Sequence, residues 1–169
     1  MNKTWQAKYL NKIVHGDCNN LLKDIPTGTI DLIIADPPYY KVVGQKWDYL
    51  WRTLEDYLDW SLEWIRESSR VLRLGGSLYF FGYIRILAHI IPKLEELGLE
   101  FKQQIIIDKG MQAVSGRATK NYTIFPNTTE SILLIIKDNK QWLKEFLKEK
   151  QMQKGWSSKQ INEKLGVKT

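Results

Sequence analysis

The hydrophobic residues of this 169-residue chain form short continuous apolar runs and longer stretches with a helical period. Continuous runs are typical of strands buried on both faces of a parallel sheet. They predict strands at 29–36, 77–82, 99–108 and 130–138, and a shorter strand at 11–17. We expect the first of the four long runs to be covered on both faces.

Helical periods alternate with these runs. Apolar residues at helical spacing predict helices over 55–73 and 83–98, and a short helical turn follows residue 17. Pro92 predicts a kink in the second helix or a break between two pieces, and Gly98 predicts its end. Strands that alternate with helices predict an α/β fold, in which a sheet is joined by crossover helices.

The pattern changes after residue 139. Residues 140–154 form a basic amphipathic stretch, and Ser157 with Gln160 is a capping-box pattern that begins a second short helix. We therefore predict two parts, an α/β part over 1–139 and a helical part over 140–169.

Charge and composition narrow the class of protein. No stretch approaches the roughly 20 apolar residues of a membrane helix, and the single cysteine, Cys18, excludes an internal disulfide. We therefore expect a cytoplasmic protein without membrane association. Neither histidine has metal-ligand spacing, so we predict no metal site.

The basic side chains are concentrated late in the chain. Residues 1–101 hold 12 basic and 13 acidic side chains, whereas residues 102–169 hold 13 basic and 6 acidic side chains, a balance of +7. This excess favours a polyanion partner, although solubility alone would also explain it.

The candidate chemistry lies where the first long apolar run ends, at Asp36-Pro37-Pro38-Tyr39. Two prolines cannot extend a strand ladder, and the carboxyl ends of strands are where open α/β sheets bind ligands. Asp36 offers a carboxylate, Pro37 a carbonyl and Tyr39 a flat ring. Two acceptors beside a stacking surface suit a planar, amino-bearing ring such as a nucleobase.

Asp-Pro-Pro-Tyr after an apolar strand resembles the catalytic motif of the S-adenosylmethionine-dependent DNA amino-methyltransferases, which methylate adenine N6 or cytosine N4. His-Gly-Asp-Cys at 15–18 is similar to their cofactor-side motif, and the order of segments over 10–138 resembles the β-class. The resemblance implies a partial Rossmann-like methyltransferase sheet, with the catalytic half in 1–139 and the start of a DNA-recognition segment in 140–169.

The same resemblance assigns roles to residues. Asp36 and the Pro37 carbonyl would hold the two hydrogens of the target amine, in the rigid turn completed by Pro38, and Tyr39 would stack on a flipped-out base. Asp17, Cys18 and Asp36 would contact S-adenosyl-L-methionine. Asp17 has a second interpretation as a helix cap, and Cys18 as a small packed residue.

Double-stranded DNA is the implied partner. Arg117, Lys120 and Tyr122 mix charge with an aromatic ring in a long non-periodic segment, which suits a nucleic-acid backbone, although a solvated loop is the alternative. Lys159 lies in a stretch that resembles the first helix and turn of a helix-turn-helix. The recognition helix would begin where the chain stops, so we expect a truncation.

The family's glycine-rich cofactor loop is absent, because no Gly-x-Gly occurs in the 169 residues. We expect this chain alone to bind the cofactor weakly. A longer natural chain, a homodimer or a second polypeptide would complete the cofactor site; loss of activity is the alternative.

The predicted reaction is adenine-N6 methylation in a bacterial or phage restriction-modification setting. Cytosine-N4 enzymes usually have serine at the position of Asp36, and carbon-5 methylation needs a cysteine that usually follows a proline, which Cys18 does not. An inactive DNA-binding fragment is an alternative. Methylation of RNA or of a protein amide, whose enzymes share an Asn-Pro-Pro-Tyr variant, is another.

Overall fold

The computed structural model describes residues 4–41, 49–110, 128–138 and 140–164. The helices are α1 (Thr4–Tyr9), α2 (Cys18–Leu21), α3 (Leu54–Val71), α4 (Ile84–Ile90), α5 (Lys140–Lys154) and α6 (Ser158–Lys164). The strands are β1 (Ile30–Ala35), β2 (Leu72–Gly82), β3 (Leu99–Asp108) and β4 (Thr129–Lys137). Two compact units divide the chain, Met1–Lys137 and Asp138–Thr169.

The first unit is built on a four-stranded sheet in the order β1-β2-β4-β3. β1 and β2 are parallel and are joined through α3, whereas β2–β4 and β3–β4 are antiparallel pairs. A parallel pair requires a crossover connection, and α3 supplies it. The α/β sheet with crossover helices that the sequence predicts is therefore confirmed.

The helices of this unit follow the predicted spans closely. α3 ends at Val71 because the chain passes directly into β2, and its buried face includes Tyr57, Trp64 and Val71. The second helical span is interrupted as predicted: α4 is followed by a short 3-10 turn that contains Pro92, and Gly98 adopts a left-handed conformation with φ of 68°. These are local effects of backbone chemistry, which is why the sequence predicts them.

The core lies between α3, α4 and the sheet. Its fully buried members come from every layer: Ile65, Leu72, Leu78, Phe80, Leu87, Ile90, Leu133 and Ile135. β2 and β4 contribute most of the sheet residues because they are the two central strands. The candidate motif follows β1, which pairs with the central strand β2.

The predicted strand at 11–17 is wrong. These residues form a turn and irregular backbone, and Ile13 is fully exposed. A short strand is stable only beside a neighbour, and none of the four strands in the described part of the chain pairs with this segment.

Two-sided burial of β1 is also wrong. Ile33 and Ala35 pack against the core, but Leu32 is 50% exposed and Ile34 is 67% exposed. Side chains alternate between the two faces of a strand, so Leu32 and Ile34 lie on the face of β1 away from the core. An apolar run predicts burial only where a second layer exists to cover it.

The second unit contains α5 and α6. The capping box predicted at α6 is present: the Ser157 amide donates to Gln160 Oε1 at 2.8 Å, and the Gln160 amide donates to Ser157 Oγ at 3.3 Å. Among the described residues of both units, no helix is long and apolar enough to cross a membrane.

A second capping box begins α3 and permits a test of the fold. The Thr53 side chain accepts from the Asp56 amide, and the Asp56 carboxylate accepts from the Thr53 amide. We expect Thr53→Ala to lower the free energy of unfolding by about 1 kcal/mol, because one helix N–H loses its acceptor. Urea denaturation of the two proteins measures this difference, and equal midpoints would show that the cap makes no net contribution.

Candidate active site at the carboxyl edge of the sheet

Strand direction brings distant residues to one edge of the sheet. β1 and β2 both end there, because Ala35 pairs with Phe80 in parallel register. β4 begins and β3 ends at the same edge, where Asp108 pairs with Thr129. The Asp36–Tyr39 motif after β1 therefore meets residues that follow β2 and β3 and begin β4.

Tyr39 is held by contacts on two sides. Its hydroxyl donates a hydrogen bond of 2.5 Å to Glu130 Oε1, and its ring meets Tyr83 edge-on with centroids 5.5 Å apart. Glu130 Oε2 in turn forms an ion pair of 2.8 Å with Lys109 Nζ. Burial, the Glu130 hydrogen bond and the nearby Asp36 carboxylate raise the pKa of Tyr39 well above its ordinary value. Tyr39 is therefore a neutral, oriented phenol.

The proline turn is anchored to α3. The Tyr57 hydroxyl donates to the Pro38 carbonyl at 3.0 Å, so that carbonyl is already engaged. The Pro37 carbonyl as the second acceptor stays a prediction. Tyr57 belongs to a chain of ring contacts that runs through Trp60 and Trp64 to Phe80 in the core. This cluster connects the proline turn to the core.

A cleft lies beside the motif. It has a volume of about 340 Å³ and a mostly apolar lining. Its lining residues come from α2, β1, the proline turn and α3, and include Cys18, Ile34, Asp36, Pro37, Trp60 and Trp64. The structure thus brings predicted catalytic and cofactor residues to one concave surface, with Asp36 at its rim and exposed to solvent.

Asp17 and Cys18 lie at the start of α2. Asp17 Oδ1 accepts from the Asn19 amide at 2.8 Å, which is the capping role left open by the sequence. Cys18 lines the cleft, and partial burial with the neighbouring Asp17 charge raises the pKa of its thiol. A cofactor contact for either residue stays a prediction.

Of the four predicted DNA-binding residues, the structure describes one, Lys159. Arg117, Lys120 and Tyr122 lie outside the described residues. Lys159 lies on α6 and is exposed. Within the described part of the chain, no cluster of side chains suited to hold a metal ion is present.

Sequence reasoning missed Glu130, Lys109 and Tyr83. Glu130 is the second residue of β4, Lys109 follows β3 and Tyr83 follows β2. Each therefore stands at a strand end, which is a usable signal, but their proximity to Tyr39 depends on the strand order. The strand order was not readable from the apolar runs.

The Glu130 carboxyl permits a pH test. Burial alone would raise its pKa, but hydrogen bonds from Lys109 and Tyr39 outweigh burial, so its pKa is below the ordinary value. A carboxyl with a lowered folded pKa stabilises the fold above its unfolded pKa of about 4.3, and the stabilisation disappears as the pH falls through the folded value. We expect Glu130→Gln to destabilise the protein at pH 7 and to differ less from wild type below pH 4. Thermal unfolding at both pH values measures this, and a constant difference would contradict it.

Comparison with known proteins identifies a family. The family model described as a DNA methylase (N6_N4_Mtase) matches residues 30–168. The match includes the whole of the Asp36–Tyr39 motif and every strand described above. It covers well over half of the chain.

Two curated relatives are similar over part of their length. DNA adenine methyltransferase YhdJ of Escherichia coli (strain K12) is 35% identical over 134 residues, which cover 77% of this chain and 42% of YhdJ. Type II methyltransferase M.BglII of Bacillus subtilis is 33% identical over 112 residues, which cover 61% of this chain and 30% of that protein. The chain thus spans less than half the length of these relatives.

A solved structure shares the fold. The putative DNA modification methylase TTHA0409 from Thermus thermophilus, complexed with S-adenosyl-L-methionine, is 25% identical with a TM-score of 0.54. The aligned part covers 73% of this chain and 51% of that protein.

Proposed function

From its membership of the DNA methylase family (N6_N4_Mtase), we propose that this chain carries the catalytic half of an S-adenosylmethionine-dependent DNA amino-methyltransferase. One observation carries the proposal: Asp36 and Pro37 line a mostly apolar cleft, and Asp36 is exposed to solvent. Amine methylation needs acceptors beside a pocket for a methyl donor, and this arrangement offers both.

The residues of the cleft fit such a donor. A volume of about 340 Å³ falls at the lower end of the range for small-molecule sites, about 300–1,000 Å³. Apolar side chains with a few polar groups at the rim are typical of these sites. Cys18, Ile34 and Trp60 would form the wall and Asp36 the polar contact. TTHA0409, whose structure contains S-adenosyl-L-methionine, supports the same cofactor for this chain.

Asp36 and Pro37 would activate the target amine. An exocyclic amine is a weak nucleophile because its lone pair is shared with the ring of the base. The Asp36 carboxylate and the Pro37 carbonyl accept its two hydrogens, which favours a tetrahedral nitrogen with a localised lone pair. The bound cofactor supplies an electrophilic methyl group on a sulfonium sulfur. Asp36 is then positioned to take the proton that the methylated nitrogen releases, so catalysis is orientation and electrostatics.

Tyr39 would orient the base. Its ring is fixed by Glu130 and by Tyr83, so it offers a preset stacking surface. A base in a duplex must leave the helix before its amine reaches such a site. Stacking on an aromatic ring compensates part of the lost base stacking.

Adenine N6 is the proposed target. The motif begins with aspartate, Asp36, as in the adenine enzymes that it resembles, and the relative YhdJ is an adenine methyltransferase. Cytosine N4 is the alternative that the family description also contains.

Double-stranded DNA is the proposed partner, in a cytoplasmic modification system. The excess of +7 over residues 102–169 supports a polyanion, and Arg117, Lys120, Tyr122 and Lys159 are the proposed contacts. A further polypeptide or a second copy would complete the cofactor site, because the chain has no Gly-x-Gly. The units 1–139 and 140–169 are proposed as the catalytic half and the start of the recognition segment.

Product analysis tests the proposal. The chain is incubated with methyl-labelled S-adenosylmethionine and mixed-sequence duplex DNA, alone and with the downstream reading frame added, and the digested nucleosides are identified by mass. We expect labelled N6-methyladenine. N4-methylcytosine would assign the alternative base, and DNA binding without any methylated nucleoside would indicate an inactive binding fragment.

A further inference from the structure

The hydroxyl of Tyr39 interacts with two carboxylates. It donates to Glu130 Oε1 at 2.5 Å, and the charge of the nearby Asp36 carboxylate also raises the pKa of Tyr39. A phenol has a single hydrogen to donate. The surroundings of Tyr39 therefore decide which carboxylate accepts this hydrogen bond, and here Glu130 accepts it.

Lys109 fixes that choice. Its ammonium pairs with the second oxygen of Glu130 at 2.8 Å, and its amide donates to the Thr128 carbonyl at 2.8 Å, which closes the β3–β4 pair. The Glu130 side chain is only 16% exposed. A carboxylate held by a strand, an ammonium and a phenol has little freedom to turn away.

The choice matters for the reaction. The proposed function requires both Asp36 and the Pro37 carbonyl as acceptors for the amine. A hydroxyl hydrogen given to Asp36 would occupy part of the carboxylate and would compete with the amine. A hydroxyl hydrogen given to Glu130 leaves Asp36 open toward the cleft, where it is exposed.

We infer that Glu130 is a positioning residue for methyl transfer, which takes the Tyr39 hydroxyl hydrogen and so keeps the Asp36 carboxylate free for the target amine. The inference rests on the proposed function and adds a residue to it. Glu130 itself does not contact the substrate, and Lys109 is the group that holds it in place.

A double-mutant cycle tests the inference with the chain composition that gives activity in the product analysis. Glu130→Ala should lower kcat by about 10- to 100-fold, the size expected for one misdirected hydrogen bond to a charged group. The affinity for DNA should change little. In protein that also carries Tyr39→Phe, which keeps the ring and removes the hydroxyl, Glu130→Ala should cost less than about 3-fold.

A purely structural role for Glu130 predicts a different result. The loss caused by Glu130→Ala would then be the same with and without the Tyr39 hydroxyl, and that outcome overturns the inference. Glu130→Gln serves as the conservative variant, because its amide oxygen can still accept from Tyr39 and should restore part of kcat. Thermal midpoints of all variants show whether each protein remains folded during the assay.

A second measurement does not depend on activity. In protein labelled with carbon-13 at the tyrosine Cζ atoms, Tyr39 is assigned by the signal that Tyr39→Phe removes. Ordinary tyrosines ionise near pH 10. In protein that carries Asp36→Ala, so that the Asp36 carboxylate cannot take over the hydrogen, we expect Tyr39 to ionise at lower pH when Glu130→Ala is added. Identical Tyr39 titrations in the two proteins overturn the inference. Absence of methylation by wild type would instead count against the proposed function, and the titration would still test the contact.

Discussion

Asp36→Ala should reduce methyl transfer by at least about 100- to 1,000-fold, the loss typical of removing one preorganised electrostatic group from an active site. Alanine leaves the amine with the Pro37 carbonyl alone, so one hydrogen remains unbound and the lone pair stays shared with the base. The side chain is exposed at the rim of the cleft, so stability should change little. Initial rates with labelled cofactor, at saturating DNA, measure the effect.

Asp59→Ala is the matched control for that experiment. Asp59 lies on α3 and is also exposed, and its replacement removes the same charge from the same unit. It should retain the wild-type rate. Equal losses in the two variants would show that net charge, and not the position of the Asp36 carboxylate, accounts for the effect.

Phe80→Ala should cause the largest loss of stability, about 3–5 kcal/mol in the free energy of unfolding. Phe80 is 1% exposed on the central strand β2, and its ring meets Trp64 edge-on at 5.0 Å. Alanine would leave a cavity under the cluster of rings that supports the proline turn. Urea denaturation followed by tryptophan fluorescence measures the difference.

Phe101→Ala is the control for burial. It removes the same side chain from β3, where Phe101 is 37% exposed. We expect a loss well below that of Phe80→Ala, because folding of the protein buries less of the Phe101 side chain than of the Phe80 side chain. Similar losses at both positions would contradict the placement of the core between α3 and the central strands.

Local chemistry explains which parts of the fold were predictable. The helical period of α3, the break at Pro92 and the left-handed Gly98 depend on residues close in the chain. The four long strands were likewise visible as apolar runs. The segment 11–17 was not assignable in this way, because a strand exists only where another strand offers it hydrogen bonds.

The exposure of β1 shows the same distinction. Its sequence is as apolar as that of a fully buried strand, yet Leu32 and Ile34 are exposed at the edge of the sheet. An apolar run permits burial of both faces of a strand. Which face is buried depends on the helices or sheets that pack against it. Only the tertiary structure reveals that the core packs against one face of β1, the face of Ile33 and Ala35.

For the candidate site, the sequence by itself determined the chemistry of the motif. Asp36, Pro37, Pro38 and Tyr39 are contiguous, so their acceptors and ring arrive together at the end of one strand. Tertiary structure alone decided what surrounds them. Tyr39 and Glu130 are 91 residues apart and meet because β4 lies beside β2 in antiparallel register. A contact of that kind follows from strand pairing, which no local pattern of residues encodes.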